Sequence, residues 1–236
     1  MLNEKHLSIL LSLETSSRVC SVALHRIADG SLLGQSELRL DKSHSTHLTV
    51  IIDQLLENTG YAITDLSAVA VSDGPGSYTG LRIGGAAAKG LCFALDIPLI
   101  AIGTLRALAA QVAAGTAWPE NFLFCPMLDA RRMEVYAALY SHDGQEVLAP
   151  TPLILDANTL AEQLAHHSVL FFGHGAAKFQ PLLGEQPNAG FLTGIEPSAV
   201  AVGALAVAAY HQQEFQDVAY YEPFYLKEVY TTTPKQ

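Results

Sequence analysis

The chain has 236 residues with 13 Lys and Arg against 23 Asp and Glu, a formal net charge of −10. Half of it is hydrophobic and only 15% is charged, which excludes a disordered chain and allows one large domain or two lobes with cores of their own. The acidic balance argues against a protein that grips nucleic acid alone, because phosphate contacts need clustered Lys and Arg. Cys20, Cys92 and Cys125 lie far apart, with no CxxC pair, so neither a disulfide framework nor a zinc knuckle is expected. The apolar run near the start is short and flanked by Glu4, Lys5 and Glu14, unlike a signal peptide. The alanine-rich stretch 198–210 is too short to span a bilayer. A cytoplasmic protein with no membrane contact is expected.

In chain order, residues 7–13 and 19–27 read as strands joined by the turn Glu14-Thr15-Ser16-Ser17-Arg18, and Asp29-Gly30 signals a hairpin into a third strand at 31–40. Leu48, Ile51, Ile52, Leu55 and Leu56 then fall on one helical face, with Ser43 or Ser45 as the cap and Asn58 to Gly60 as the stop. A buried strand at 67–72 leads through DGPGSYTG to a helix over 81–95. A strand at 97–102 and a helix at 105–114 follow. A meander followed by crossover units predicts a mixed five-stranded sheet with helices on its faces.

After the linker-like stretch 114–121, strands are predicted at 122–128, 134–141 and 146–150, with Asp143-Gly144 as a second hairpin turn. A helix at 156–166, a strand at 168–172, a short helix after Gly175 and a long helix from Ser198 to about Phe215 complete the chain. The second half thus repeats the outline of the first, as two lobes around a cleft would.

Three segments carry candidate chemistry. Gly74, Gly76 and Gly80 stand between a strand and a helix, with Ser77 or Thr79 as the cap. This is either a tight turn or an anion site at the helix N-terminus, and it is not a Walker A loop. Thr15, Ser16 and Ser17 form a hydroxyl-rich turn, either a plain hairpin or a phosphate wrap. Asp129, Arg131 and Arg132 occupy the matching turn of the second half, facing a cleft or solvent. The pairs His44/His47 and His166/His167 lack the spacing and the carboxylate of a metal site, and no GxSxG elbow is present.

Taken in order, SLETSSRVCSVAL, DGPGSYTGLRIG, PLIAIGTLRALA, DARRMEVYAALY and PFYLKE resemble the TsaB (YeaZ) family over nearly the whole chain. The resemblance implies a shortened two-lobed ASKHA fold, the α/β architecture of actin, Hsp70 and sugar kinases, with lobes at 1–103 and 104–236 and the C-terminal helix and tail returning to the first lobe. It implies a non-catalytic scaffold in the bacterial assembly that transfers threonylcarbamoyl from threonylcarbamoyl-AMP to N6 of adenosine 37 in tRNAs reading ANN codons. The implied partners are a TsaD-like catalytic subunit and a TsaE-like ATPase. The resemblance further implies a homodimer when the chain is alone, with tRNA met only through the complex.

In the catalytic paralogue a histidine pair four apart ligates the metal on the helix after the fifth strand. The counterparts in register here are Thr104 and Leu108, which cannot replace two imidazoles. No catalytic residue, resident metal or required cofactor is therefore expected. Thr15, Ser16, Ser17, Gly76, Ser77, Asp129 and Arg131 are the anion or nucleotide candidates, which leaves weak ATP or ADP binding open. The alternative functions are a small ASKHA ATPase or kinase using the two turns as phosphate loops and, below it, an M22-type metallopeptidase.

On the helix over 81–95, Leu81, Ala88, Leu91, Cys92 and Leu95 form one apolar stripe, with Ile83, Ala87, Gly90 and Ala94 almost opposite. A helix apolar nearly all round is buried on more than one side. The second stripe is covered either by the chain's own fold or by another molecule. The resemblance implies the latter, with His47, Val50 and Gln54 of the preceding helix sharing the surface.

Overall fold

The computed structural model describes residues 8–40, 44–115 and 118–227. Residue 7 of the first expected strand, the candidate cap Ser43, positions 116 and 117 of the linker and Glu228 of the PFYLKE segment lie outside them.

The first sheet is built from β1 (Ile9–Glu14), β2 (Cys20–Arg26), β3 (Leu32–Leu38), β4 (Leu66–Gly74) and β5 (Leu99–Gly103), in the order β3-β2-β1-β4-β5. The β1–β2 and β2–β3 pairs are antiparallel, and β1–β4 and β4–β5 are parallel. The second sheet contains β6 (Phe122–Asp129), β7 (Glu134–Ser141), β8 (Glu146–Ile154), β9 (Ser168–Phe172) and β10 (Ala189–Phe191), in the order β10-β9-β6-β7-β8. Its β6–β7 and β7–β8 pairs are antiparallel, and β6–β9 and β9–β10 are parallel. The two sheets therefore have one topology. The duplicated outline and the mixed sheets with flanking helices are those of the two-lobed ASKHA fold.

Period-2 alternation buries both faces of each sheet. On β1, Ile9, Leu11 and Leu13 join a core closed by α1 (His44–Thr59) and α2 (Tyr78–Leu95), while Leu10 meets α6 (Ala199–His211) on the other face. In the second sheet, Leu123, Cys125 and Met127 share a core with Leu164 of α4 (Ala161–His166), against which Leu182 and Leu183 of α5 (Gln180–Leu183) also rest. Phe124 and Leu128 join the core formed with Leu105, Leu108 and Val112 of α3 (Thr104–Ala113). Helices α3 and α6 touch each other and lie between the two sheets. The three cysteines are buried and free, and among the described residues no helix is long and apolar enough to cross a membrane.

Three sequence expectations are corrected, and one element is new. Ser45 lies inside α1 and is not its cap. Helix α4 starts at Ala161 rather than 156, because Asp156 accepts from the Asn158 N–H and the Thr159 hydroxyl in a polar turn and Leu160 sits at φ 59°. Helix α6 stops at His211, and Gln213 turns the chain at φ 58°. The three-residue β10, parallel to β9 at the sheet edge, was not expected at all.

Candidate functional site

The three candidate segments meet in one cleft of about 940 Å³ between the lobes. Ser16, Ser17 and Arg18 reach it from the β1–β2 turn, and Pro75 to Leu81 from the β4–α2 junction. Leu128 to Arg131 reach it from the β6–β7 turn. The two hairpin turns, equivalent in their sheets, thus line the same cleft.

The glycines serve contact within the chain. A Cβ on Gly76 would stand 2.5 Å from the Ser16 carbonyl oxygen, and one on Gly80 would overlap the Thr15 carbonyl. Gly84, one helical turn further on, faces the Thr15 hydroxyl. Glycine at every fourth position lets the start of α2 lie directly on the first hairpin turn. The Ser77 N–H, at the end of the helix where an anion would sit, donates to the Ser16 carbonyl at 2.6 Å. The Ser77 hydroxyl accepts the Gly80 N–H at 3.3 Å, which makes Ser77 rather than Thr79 the cap. Part of the helix's anion-binding capacity is therefore already engaged by the chain. Thr15 is fully buried beneath this contact and does not line the cleft, which corrects its place among the anion candidates. Ser16 does line it, and its buried hydroxyl has no hydrogen-bond partner among the described residues.

Beneath the turn, Glu14 is buried at 0% exposure, and its Oε1 accepts the Ser16 N–H at 2.6 Å. Burial pushes this carboxyl up to about 7, against the pull of the Ser16 and Ser72 hydrogen bonds.

Across the cleft, Asp129 is held by groups of its own lobe. Its Oδ1 accepts from Lys178 Nζ and from the Arg131 N–H, each at 2.6 Å. Partial burial pushes its carboxyl up, but Lys178 and the Arg131 N–H prevail and hold it below the usual range. Arg131 and Arg132 are exposed, both at positive φ. Sequence reasoning missed His174, which lines the cleft from the turn after β9, and Glu196, which pairs with Arg18 at 3.0 Å. His174 Nδ1 lies 3.9 Å from Glu196, yet burial keeps its pKa below the usual imidazole value. Gly175 donates its N–H to the Met127 carbonyl, so a glycine turn packs on the first hairpin in this lobe too. Phe224 to Lys227 also line the cleft, a contribution no local pattern announces.

Thr104 and Leu108 are buried at the start of α3. Among the described residues no three His, Cys, Asp or Glu side chains converge as a metal site would require.

The second stripe of α2 faces outward only toward its C-terminal end, since Ile83 and Ala87 pack against the first-lobe core and Ile83 also lines the cleft. Gly90 and Ala94 are exposed, with nothing within 4 Å of a Cβ placed on Gly90. Val50 and Gln54 of α1 are exposed, whereas His47, Ile83 and Ala87 are half-buried. Between the two helices runs a groove of about 350 Å³ that includes Ile52, Ala86, Ala87, Gly90 and Leu91. Phe93, in the last turns of the same helix, is 85% exposed.

A family model described as TsaD, tRNA N6-adenosine threonylcarbamoyltransferase, matches residues 38–229. The Bacillus subtilis protein named tRNA threonylcarbamoyladenosine biosynthesis protein TsaB is 34% identical over 180 residues, 74% of either chain. The chain belongs to the TsaB (YeaZ) family. The Escherichia coli TsaB protein is 28% identical over 225 residues, covering 92% of this chain and 94% of its own. The solved YeaZ structure from Pseudomonas aeruginosa superposes with a TM-score of 0.75 at 28% identity, covering 93% of this chain and 100% of that one. The likeness to TsaB and YeaZ therefore extends through both lobes.

Proposed function

We propose that this chain takes part in the biosynthesis of threonylcarbamoyladenosine in tRNA, as a non-catalytic scaffold subunit in the cytoplasm. In this reading a TsaD-like subunit transfers threonylcarbamoyl from threonylcarbamoyl-AMP to N6 of adenosine 37 in ANN-reading tRNAs, and a TsaE-like ATPase completes the assembly. The likeness to TsaB proteins over most of the chain supports the pathway. The observation that carries the scaffold role is the cleft, whose glycine loop is packed on the chain's own hairpin turn and whose Asp129 is tied to Lys178.

The partner surface is the outward face of α1 and α2, with His47, Val50, Gln54, Ile83, Ala87, Gly90 and Ala94. Small residues at Gly90 and Ala94 admit the backbone of a facing helix, and Val50 and Phe93 supply exposed apolar area beside the groove. The occupant is the TsaD-like subunit. In its absence a second copy docks on the same face, so the homodimer and heterodimer exclude each other. The test is a modification assay reconstituted from purified subunits with this chain present or omitted. Loss of product on omission supports the reading, and unchanged product overturns it.

A small ATPase is the second reading, favoured by Ser16, Ser17 and the exposed Arg131 lining one cleft. ATP turnover by the isolated chain that disappears in Asp129→Asn would establish it.

A further inference from the structure

The C-terminal segment holds to the first lobe and then crosses to the second. The Gln216 N–H donates to the Leu99 carbonyl at the edge of β5, at 2.8 Å. Lys89 of α2 donates to the carbonyls of Ala219 at 3.1 Å and Tyr221 at 2.9 Å. Tyr221 is buried in the core under α1 and α2, and its ring and Pro223 lie beside Gly85. The Phe224 N–H donates to the Asp73 carbonyl at 2.8 Å. Each of these contacts is made to the first lobe.

Beyond Phe224 the contacts change in kind. The Tyr225 ring lies on Tyr78 with centroids 4.9 Å apart, and Tyr78 is held by Arg82, which donates to its hydroxyl at 2.9 Å. Lys227 forms an ion pair with Glu134 at the start of β7, in the second lobe. Both Tyr225 and Lys227 line the cleft.

We propose that residues 217–227 are a strap whose first part is anchored to the first lobe and whose end, Tyr225 to Lys227, is a releasable latch across the cleft onto Glu134. The segment is this chain's own occupant of the cleft mouth, and unlatching it widens access to the Ser16 and Asp129 turns. The latch is suited to release because it rests on a partly exposed ring contact and a partly exposed ion pair, interactions weaker than the buried anchor.

The test is amide hydrogen exchange on the full chain as wild type, Lys227→Glu, Glu134→Lys and the doubly exchanged variant. Each single variant should speed exchange at the hydrogen-bonded Phe224 amide beside the latch and at Ala130 and Glu134 of the β6–β7 turn by about two- to five-fold, the range of a partly exposed ion pair. The core strands β1 and β4 should be unchanged. The double variant, with the charges swapped, should return both segments to wild-type rates. Unchanged exchange in both single variants, or single-variant effects that the swap does not reverse, would overturn the latch. Tyr225→Ala supplies a second arm that leaves the ion pair in place. It should free the same segment, and wild-type exchange at the Phe224 amide in that variant would also count against the proposal.

Discussion

The carbonyl oxygen of Ser16 accepts the N–H of Ser77 at 2.6 Å, joining the first hairpin turn to the start of α2. A strand-to-helix glycine loop invites a phosphate-binding interpretation, and here one of its outward N–H groups is satisfied by the chain itself. Because a Cβ on Gly80 would overlap the Thr15 carbonyl, Gly80→Ala should destabilise the fold by about 1–3 kcal/mol through overpacking. Denaturant unfolding measures this. Wild-type stability in Gly80→Ala would mean that the turn and helix are not in contact.

Glu14 gives the protein a pH dependence of definite sign. Its carboxyl is raised from 4.5 to about 7, so the native state holds the proton more tightly than the unfolded chain. The resulting stabilisation is complete below pH 4.5 and is lost as pH rises through about 7, a total of about 3 kcal/mol. Glu14→Gln keeps an acceptor for the Ser16 N–H and removes the titration. Unfolding free energies of the two proteins between pH 5 and pH 8 should show a decline in wild type that the variant lacks. Superimposable profiles would contradict this origin.

Much of the fold follows from local pattern. Residues 134–141 and 168–172 are strands as their apolar runs predict, and Asp29-Gly30 and Asp143-Gly144 mark the β2–β3 and β7–β8 hairpins. What escaped depends on contacts distant in sequence or on very short elements. Nothing near Ala189–Phe191 marks a strand, because its pairing is supplied by β9. At the cleft, the two hairpin turns and the glycine loop were legible as candidates from residue type. Glu196 and Lys227 were not, since their partners Arg18 and Glu134 lie 178 and 93 residues away, and neither was His174, whose place beside Glu196 is set by the fold. The glycines at 76 and 80 were recognisable as close-approach residues, but only the fold shows that they approach Thr15 and Ser16.

Isolated protein should bind tRNA weakly. The net charge is −10, and of the basic side chains around the cleft Arg18 is paired with Glu196, Lys178 with Asp129 and Lys227 with Glu134. Few cations remain to release counterions from phosphate. Filter binding or anisotropy across a salt series should detect no submicromolar complex. A tight, strongly salt-dependent one would show that this chain supplies the tRNA contacts itself.

The central claim is that the outward face of α1 and α2 recruits the partner, and Gly90→Arg addresses it most directly. Nothing lies within 4 Å of a Cβ at Gly90, and it is not among the positive-φ glycines, so arginine can be placed without disturbing this fold. The variant's circular dichroism and thermal midpoint should match wild type. The measurement is sedimentation velocity of the variant with and without the TsaD-like subunit, run beside the reconstituted tRNA modification assay. The account predicts a folded monomer that neither self-associates nor binds the partner and that yields no more modified adenosine than omission of the chain. A folded variant that still forms the heterodimer and supports wild-type modification would contradict it.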